Sequence, residues 1–253
     1  MRSTRFIPKA QLVDRASFIV NCARGKTALH IGMGGFLDDA EMAEAYRGID
    51  LTKSLHARLA AVASRVDGID INVKSMEAMS KAVPGNYAYC DVCSADFASV
   101  MGGRKYQVIV FGDTIEHLDN CHSALQNLRG ALADDGVLLV STVNAYSIDS
   151  IAKMLFRYES VHEEHTAYYS YLTLRRIFAM NQLAIASFVY YTHRKFPGRF
   201  MRHPLFWLSF HCSAVFVRIF PQFAMGVMAI VRPAAVPRGS SQSMPQDVQT
   251  FVA

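Results

Sequence analysis

The stretch ALHIGMGGFLDD, residues 28–39, decides the fold. An apolar run ends in three closely spaced glycines, Gly32, Gly34 and Gly35, and two acids follow, Asp38 and Asp39. Glycines let a chain turn sharply and let a ligand approach the backbone, so the pattern reads as a strand running into a cofactor loop. A dinucleotide loop would carry G-x-G-x-x-G with a helix start facing a pyrophosphate. Counted from Gly32 and Gly34 the third position is Leu37, and Asp38 and Asp39 would repel phosphates. The loop therefore points to a cofactor with ribose and adenine but no phosphate.

Outward from this loop, apolar runs rich in β-branched residues alternate with helical patterns, the mark of a parallel sheet with crossover helices. Strands are expected at 27–32, 65–71, 86–92, 106–113, 136–142, 184–194 and 223–233, with helical patterns such as SLHARLAAVAS and SALQNLRGALA between them. The fold expected is α/β, a doubly wound, mostly parallel seven-stranded sheet. With 253 residues the chain suits one domain, since single α/β domains reach roughly 200–250 residues. The domain is expected to span 1–233, with an apolar insertion inside 185–233, and 234–253, rich in Ser, Pro and Gln, reads as a mobile tail.

Composition narrows the function. The chain is 51% hydrophobic and 19% charged with a net charge of +5, and its Lys and Arg are scattered, so no nucleic acid partner is expected. Five cysteines, an odd number at irregular spacing, and a first segment without the apolar core of a secretory signal point to the cytoplasm. Cys90 and Cys93 form a CxxC with no second pair, which reads as two small residues at a strand end rather than a zinc site. The segment 196–221 is apolar and aromatic, and Arg194, Lys195, Arg199 and Arg202 stand upstream of its most apolar part, Leu205–Val217. Its most apolar part is short of the roughly 20 residues that span a bilayer. It reads as a helix covering the substrate or as a peripheral contact with an anionic membrane.

In open parallel sheets ligands sit beyond the carboxyl ends of the strands, and four such ends carry chemistry here. The first holds Gly32 and Gly34, the second Asp70 with Ile71, the third Asp91 with Val92, and the fourth Asp113, Thr114, Glu116 and His117. A carboxylate such as Asp70 can accept hydrogen bonds from both ribose hydroxyls. Asp67 competes with it for that place, and Asp91 or Asp113 taken singly could cap a helix instead.

Taken in order, HIGMGG, GIDIN, YCDVCS, VIVFGDTIEHLDN, GALADDGVLLVSTVNAY and HEEHTAYYSYLTLRRIFAMNQL resemble class I S-adenosylmethionine-dependent methyltransferases of the small-molecule, ubiquinone-pathway type. The likeness runs from about residue 26 to 233. It implies S-adenosyl-L-methionine as cofactor, with Gly32 and Gly34 shaping the loop around its methionine end. It further implies Asp70 on the ribose with Ile71 against adenine, Asp91 on the adenine amine with Val92 packing on the ring, and Asp113 and Thr114 beside the sulfonium. The family's acid before the first glycine is His30 here and its last glycine is Phe36. His30 is placed at the methionine end, where an imidazole cannot supply a carboxylate's charge.

The resemblance makes O-methylation of a small molecule or glycan the leading expectation. A hydroxyl acceptor benefits from a base, and histidine suits that task near neutral pH. The candidates are His117, His162 and His165, the last two in H-E-E-H. No metal is expected, because the HExxH pattern of zincins is absent. The rivals are an NAD-dependent or nucleotide-sugar oxidoreductase, which the absent phosphate contacts oppose, and a non-catalytic relative that has lost its cofactor. Oligomeric state and acceptor identity carry no sequence signal.

Overall fold

The computed structural model describes residues 6–34, 50–159, 161–192 and 204–234, with side chains omitted over 204–210. The expectations for Gly35, Phe36, Asp38 and Asp39, for the basic residues 194–202 and for the tail beyond 234 lie outside the described residues.

The apolar runs form the strands they predict. In chain order the elements are β1 (Leu12–Val13), α1 (Arg15–Ala23), β2 (Thr27–Ile31), α2 (Leu55–Ala60), β3 (Arg65–Asp70), α3 (Val73–Ala82), β4 (Asn86–Tyr89) and α4 (Phe97–Met101). They continue as β5 (Tyr106–Gly112), α5 (Cys121–Ala131), β6 (Leu132–Val143), α6 (Ile148–Met154), α7 (Tyr171–Met180), β7 (Leu183–Tyr191), α8 (Pro204–Ile219) and β8 (Gly226–Pro233). All eight strands join one sheet in the order β1-β7-β8-β6-β5-β2-β3-β4. β8 is antiparallel to both β6 and β7, and the other pairs are parallel.

The sheet has one strand more than the seven expected. The extra one, Leu12–Val13, pairs with Tyr190 and Tyr191 at the edge, and two residues are too few to leave a periodic signal. β6 begins earlier than the sequence suggests, since α5 runs straight into it and Tyr106 pairs with Leu132 ahead of a register shift.

Both sheet faces are covered, as alternate residues of β5 show. Ile109 and Phe111 enter a cluster with Leu29, Ile31, Leu125, Leu128 and Phe178. Val108 and Val110 enter another with Ile19, Val20, Leu59 and Leu139. Side chains of period two that are buried on both faces explain why β5 reads as an unbroken apolar run. The strand order reverses between β2 and β5, which are direct neighbours with Ile31 opposite Phe111, and a crevice opens where chains leave such a switch point in opposite directions.

Candidate functional site

The glycine loop is built as its sequence demands. Gly32 has φ +64°, and a Cβ there would lie 3.0 Å from Thr114 Oγ1, so the ends of β2 and β5 touch at this point. Gly34 is packed still tighter, because a Cβ would fall 2.1 Å from the Cβ of Ser75 near the start of α3. Asp70 closes β3 beside them. Its Oδ2 accepts the Gly34 N–H at 2.9 Å and its Oδ1 accepts the Asn72 N–H at 2.9 Å; the side chain is buried, and each carboxylate oxygen keeps a lone pair for a further donor. Asn72 in turn caps α3 by accepting the Ser75 N–H at 2.9 Å.

Asp67, the competitor for Asp70's role, is committed elsewhere. It accepts hydrogen bonds from Arg65, Asn86, Arg104 and Tyr106, the last at 2.7 Å. These partners hold its carboxyl below the usual carboxylate range against the opposing effect of burial. Ile71 stands 65% exposed next to Asp70. Asp91 is exposed and accepts the Cys93 N–H at 2.8 Å, a tight turn rather than a helix cap. Val92 is buried in the core cluster, so its side chain offers an adenine ring little surface, contrary to the packing role expected of it.

Two further placements bear on the sequence reading. The first is His30, expected at the methionine end. Its ring is buried, stacked on His56 of α2 with centroids 5.5 Å apart and Nδ1 atoms 3.3 Å apart. Burial holds His30 well below the normal histidine range and lowers His56 to about 4, so both are neutral and one Nδ1–H donates to the other Nδ1. The second concerns Asp113, whose carboxylate is gathered inward. It pairs with Arg15 at 2.9 Å and accepts from Ser141 Oγ at 3.0 Å and Tyr191 Oη at 2.6 Å, while Arg15 Nε donates to Ser141 Oγ at 3.0 Å. Asp113 has φ +50°, a backbone setting that a non-glycine residue holds only with outside support. Thr114 Oγ1 donates to the Gly112 carbonyl at 3.0 Å.

The three histidines named from sequence come together. The turn Ile115–His117 follows β5, and Thr166 clamps the HEEHT segment onto it: its N–H and hydroxyl both donate to the Glu116 carbonyl, at 2.8 and 3.1 Å. Ring centroids lie 4.6 Å apart for His117 and His165, 5.3 Å for His162 and His165, and 6.0 Å for His117 and His162. Glu164 Oε2 is 3.6 Å from His117 Nδ1. Burial lowers the pKa of both His117 and His165, the Glu164 carboxylate opposing it at each. Beneath them Glu116 is 1% exposed. Burial, aided by the charge of Asp113, pushes its carboxyl up to about 7.

Beside this cluster a cavity of about 430 Å³ is lined mainly by Ala145, Ile151, Met154, Leu155, Val161 and Tyr168, with Glu159 as its charged member. Tyr168 links the two, its ring 5.8 Å from that of His165. Sequence reasoning missed Arg15, Ser141, Tyr191 and His56. Gly112 is the one trace of the first three, because a Cβ there would lie 2.5 Å from the Arg15 guanidinium.

A family model described as a methyltransferase domain matches residues 20–187, and the chain belongs to that family, the class I S-adenosylmethionine-dependent methyltransferases. S-adenosyl-L-methionine is the cofactor of the family. The ubiquinone biosynthesis O-methyltransferase of Glaesserella parasuis serovar 5 is 27% identical over 126 residues, 47% of this chain and 46% of that protein. The match thus spans about half of the relative. Among solved structures, a methyltransferase from Clostridium acetobutylicum superposes with a TM-score of 0.54 at 12% identity, covering 87% of this chain and 91% of that one. One from Archaeoglobus fulgidus gives 0.52 at 14% identity, covering 86% and 90%. The magnesium protoporphyrin IX methyltransferase of Synechocystis, solved with S-adenosylhomocysteine bound, gives 0.51 at 14% identity, covering 86% and 80%. At these identities the structures support the shared fold alone.

Proposed function

We propose that the protein methylates a hydroxyl of a small molecule or glycan, with the cofactor at the β2/β5 switch point and the acceptor in the cavity beside the histidine cluster. The observation that carries this reading is the meeting of His117, His162 and His165 at the carboxyl end of β5, next to the glycine loop and an apolar cavity. When bound, the cofactor supplies a methyl group already activated on a positively charged sulfur, so the protein's task is chiefly placement and exclusion of water.

The residues fit an adenosine group. Gly32 and Gly34 keep the loop flat against the strand ends, Asp70 receives the ribose hydroxyls, exposed Ile71 lies against the adenine, and Asp91 accepts its amine. The Asp113–Thr114 turn, with its carboxylate tied back to Arg15, presents its backbone to the sulfonium side. One of the three histidines takes the acceptor's hydroxyl proton. The apolar side chains around the cavity hold the acceptor's body, and the exposed apolar residues Leu155, Phe156 and Tyr158 extend the same surface, which supports peripheral contact with a membrane as the route by which an apolar acceptor arrives.

Calorimetric titration with S-adenosylhomocysteine tests the reading. Saturable binding to the wild type is expected. Since hydrogen bonds to a charged group contribute about 1.5–3 kcal/mol, Asp70→Asn should bind roughly ten- to a hundredfold more weakly. Absence of binding by the wild type at millimolar ligand would end the proposal.

A further inference from the structure

We propose that Glu116, His117 and His165 form a binding site for one divalent first-row transition-metal ion of the zinc and manganese class. One ligand atom from each of the three lies within 4.8 Å of the others. Atoms about 2.1 Å from a shared ion stand roughly 3–3.5 Å from one another, so small side-chain rotations close the set. The residues come from two segments 48 positions apart in sequence, and the Thr166 clamp on the Glu116 carbonyl fixes them against each other.

Independent features point to a ligand at this place. Glu116 is 1% exposed and its Oε2 has no hydrogen-bond partner, and Nδ1 of His165 is likewise buried without one. A buried acceptor left unmatched costs about 1–3 kcal/mol, more for a charged group, and a cation ligated by these two atoms would remove that cost at both. Glu164 stands 3.6 Å from Nδ1 of His117, the carboxylate-to-histidine pairing that orients metal-bound imidazoles. Two imidazoles and one carboxylate are a mixed nitrogen and oxygen set, which selects a first-row transition ion over magnesium or calcium with their all-oxygen preference. Three protein ligands leave coordination positions open.

The site's existence does not depend on the proposed function, though its role does. An acceptor hydroxyl bound at an open position would ionise more readily, because the ion stabilises the resulting oxyanion. His162, outside the three-residue set, takes the proton. The acceptor oxygen forms its bond to the methyl carbon, and the electron pair of the broken carbon–sulfur bond stays on sulfur, leaving a neutral thioether. This assignment replaces the expectation of a metal-free site, which rested on the absence of one sequence pattern.

The test is titration of chelator-treated full-length protein with ZnCl2 by calorimetry and with MnCl2 by electron paramagnetic resonance. One equivalent per chain is expected, weakened tenfold or more in His165→Ala and in Glu116→Gln. The exposed His122, on α5, provides a control, and His122→Ala should bind as the wild type does. S-adenosylhomocysteine binding by His165→Ala shows that this variant is folded. No saturable uptake by the wild type, or equal uptake by His165→Ala and the wild type, overturns the site. Metal uptake without S-adenosylhomocysteine binding would overturn the proposed function while leaving the site standing, and the reverse pattern would overturn the site alone.

Discussion

His30 and His56 make a buried pair whose rings can be accommodated only as neutral species. Burial depresses the pKa of both, His56 to about 4, against about 6.5 in an unfolded chain. The sign follows from linkage: below pH 6.5 the unfolded chain takes up protons that the folded pair refuses, so stability is fully present above 6.5 and falls as pH drops toward 4. At about 1.4 kcal/mol per pKa unit, His56 alone should cost on the order of 2 kcal/mol between pH 7 and pH 5. Urea unfolding at those two pH values should show the loss in the wild type and a markedly smaller one in the double variant His30→Gln/His56→Gln. Equal pH dependence would mean that the pair is not what titrates. At this scale the sequence was legible where a residue's position is fixed by its own strand. Asp70 lies at a strand end beside Gly34, as the GID pattern suggests. The sequence did not disclose the partner of His30, because the ring that covers it comes from a helix 26 positions away.

Between elements, the least legible device is the tie from α1 to the end of β5. Arg15 lies 98 positions from Asp113 in the chain, and no local spacing records their contact. Yet the geometry is closed: the guanidinium spans Asp113 and Ser141, lies 5.6 Å from the centre of the Tyr191 ring, and passes over Gly112 where a side chain would collide. Tyr191 reaches Asp113 because Gly226 leaves room for its ring, a Cβ there falling 2.1 Å from Tyr191 Cζ. The tie holds Asp113 at φ +50°, a setting that costs of order 1 kcal/mol or more, and Gly32 and the Thr114 side chain meet directly beside it. Arg15→Gln leaves a carboxylate one-third exposed and without its cation. Since such a site is partly solvated, a loss of about 1–2 kcal/mol is expected rather than the larger cost of a fully buried charge. The diagnostic readout is affinity: S-adenosylhomocysteine should bind several-fold more weakly to Arg15→Gln, with Arg15→Lys recovering part of the loss. If stability falls while affinity holds, the tie supports the sheet and not the cofactor turn.

For the molecule as a whole, the sheet and its two covered faces follow from the alternation of apolar runs, and β8 turns antiparallel between β6 and β7 while keeping the buried pattern of its neighbours. What the pattern could not set is the fate of the apolar residues that the sheet does not use. Leu155, Phe156 and Tyr158 after α6 are 79%, 84% and 62% exposed, and Val215 and Ile219 on α8, which packs against α6, are also exposed. Among the described residues no helix is long and apolar enough to cross a membrane. Apolar surface of this kind, on a chain of net charge +5 with four basic residues at 194–202, suits the boundary of an anionic bilayer, where side chains enter the headgroup region while the fold stays outside. Mixing the protein with vesicles containing phosphatidylglycerol and floating them on a density gradient should carry it upward, and less so as salt screens the basic charge. Leu155→Glu/Phe156→Glu should abolish flotation with a change in stability within about 0.5 kcal/mol, because both side chains are in solvent already. Protein that stays at the bottom of the gradient in low salt would remove the membrane from the reading and leave this surface to the acceptor.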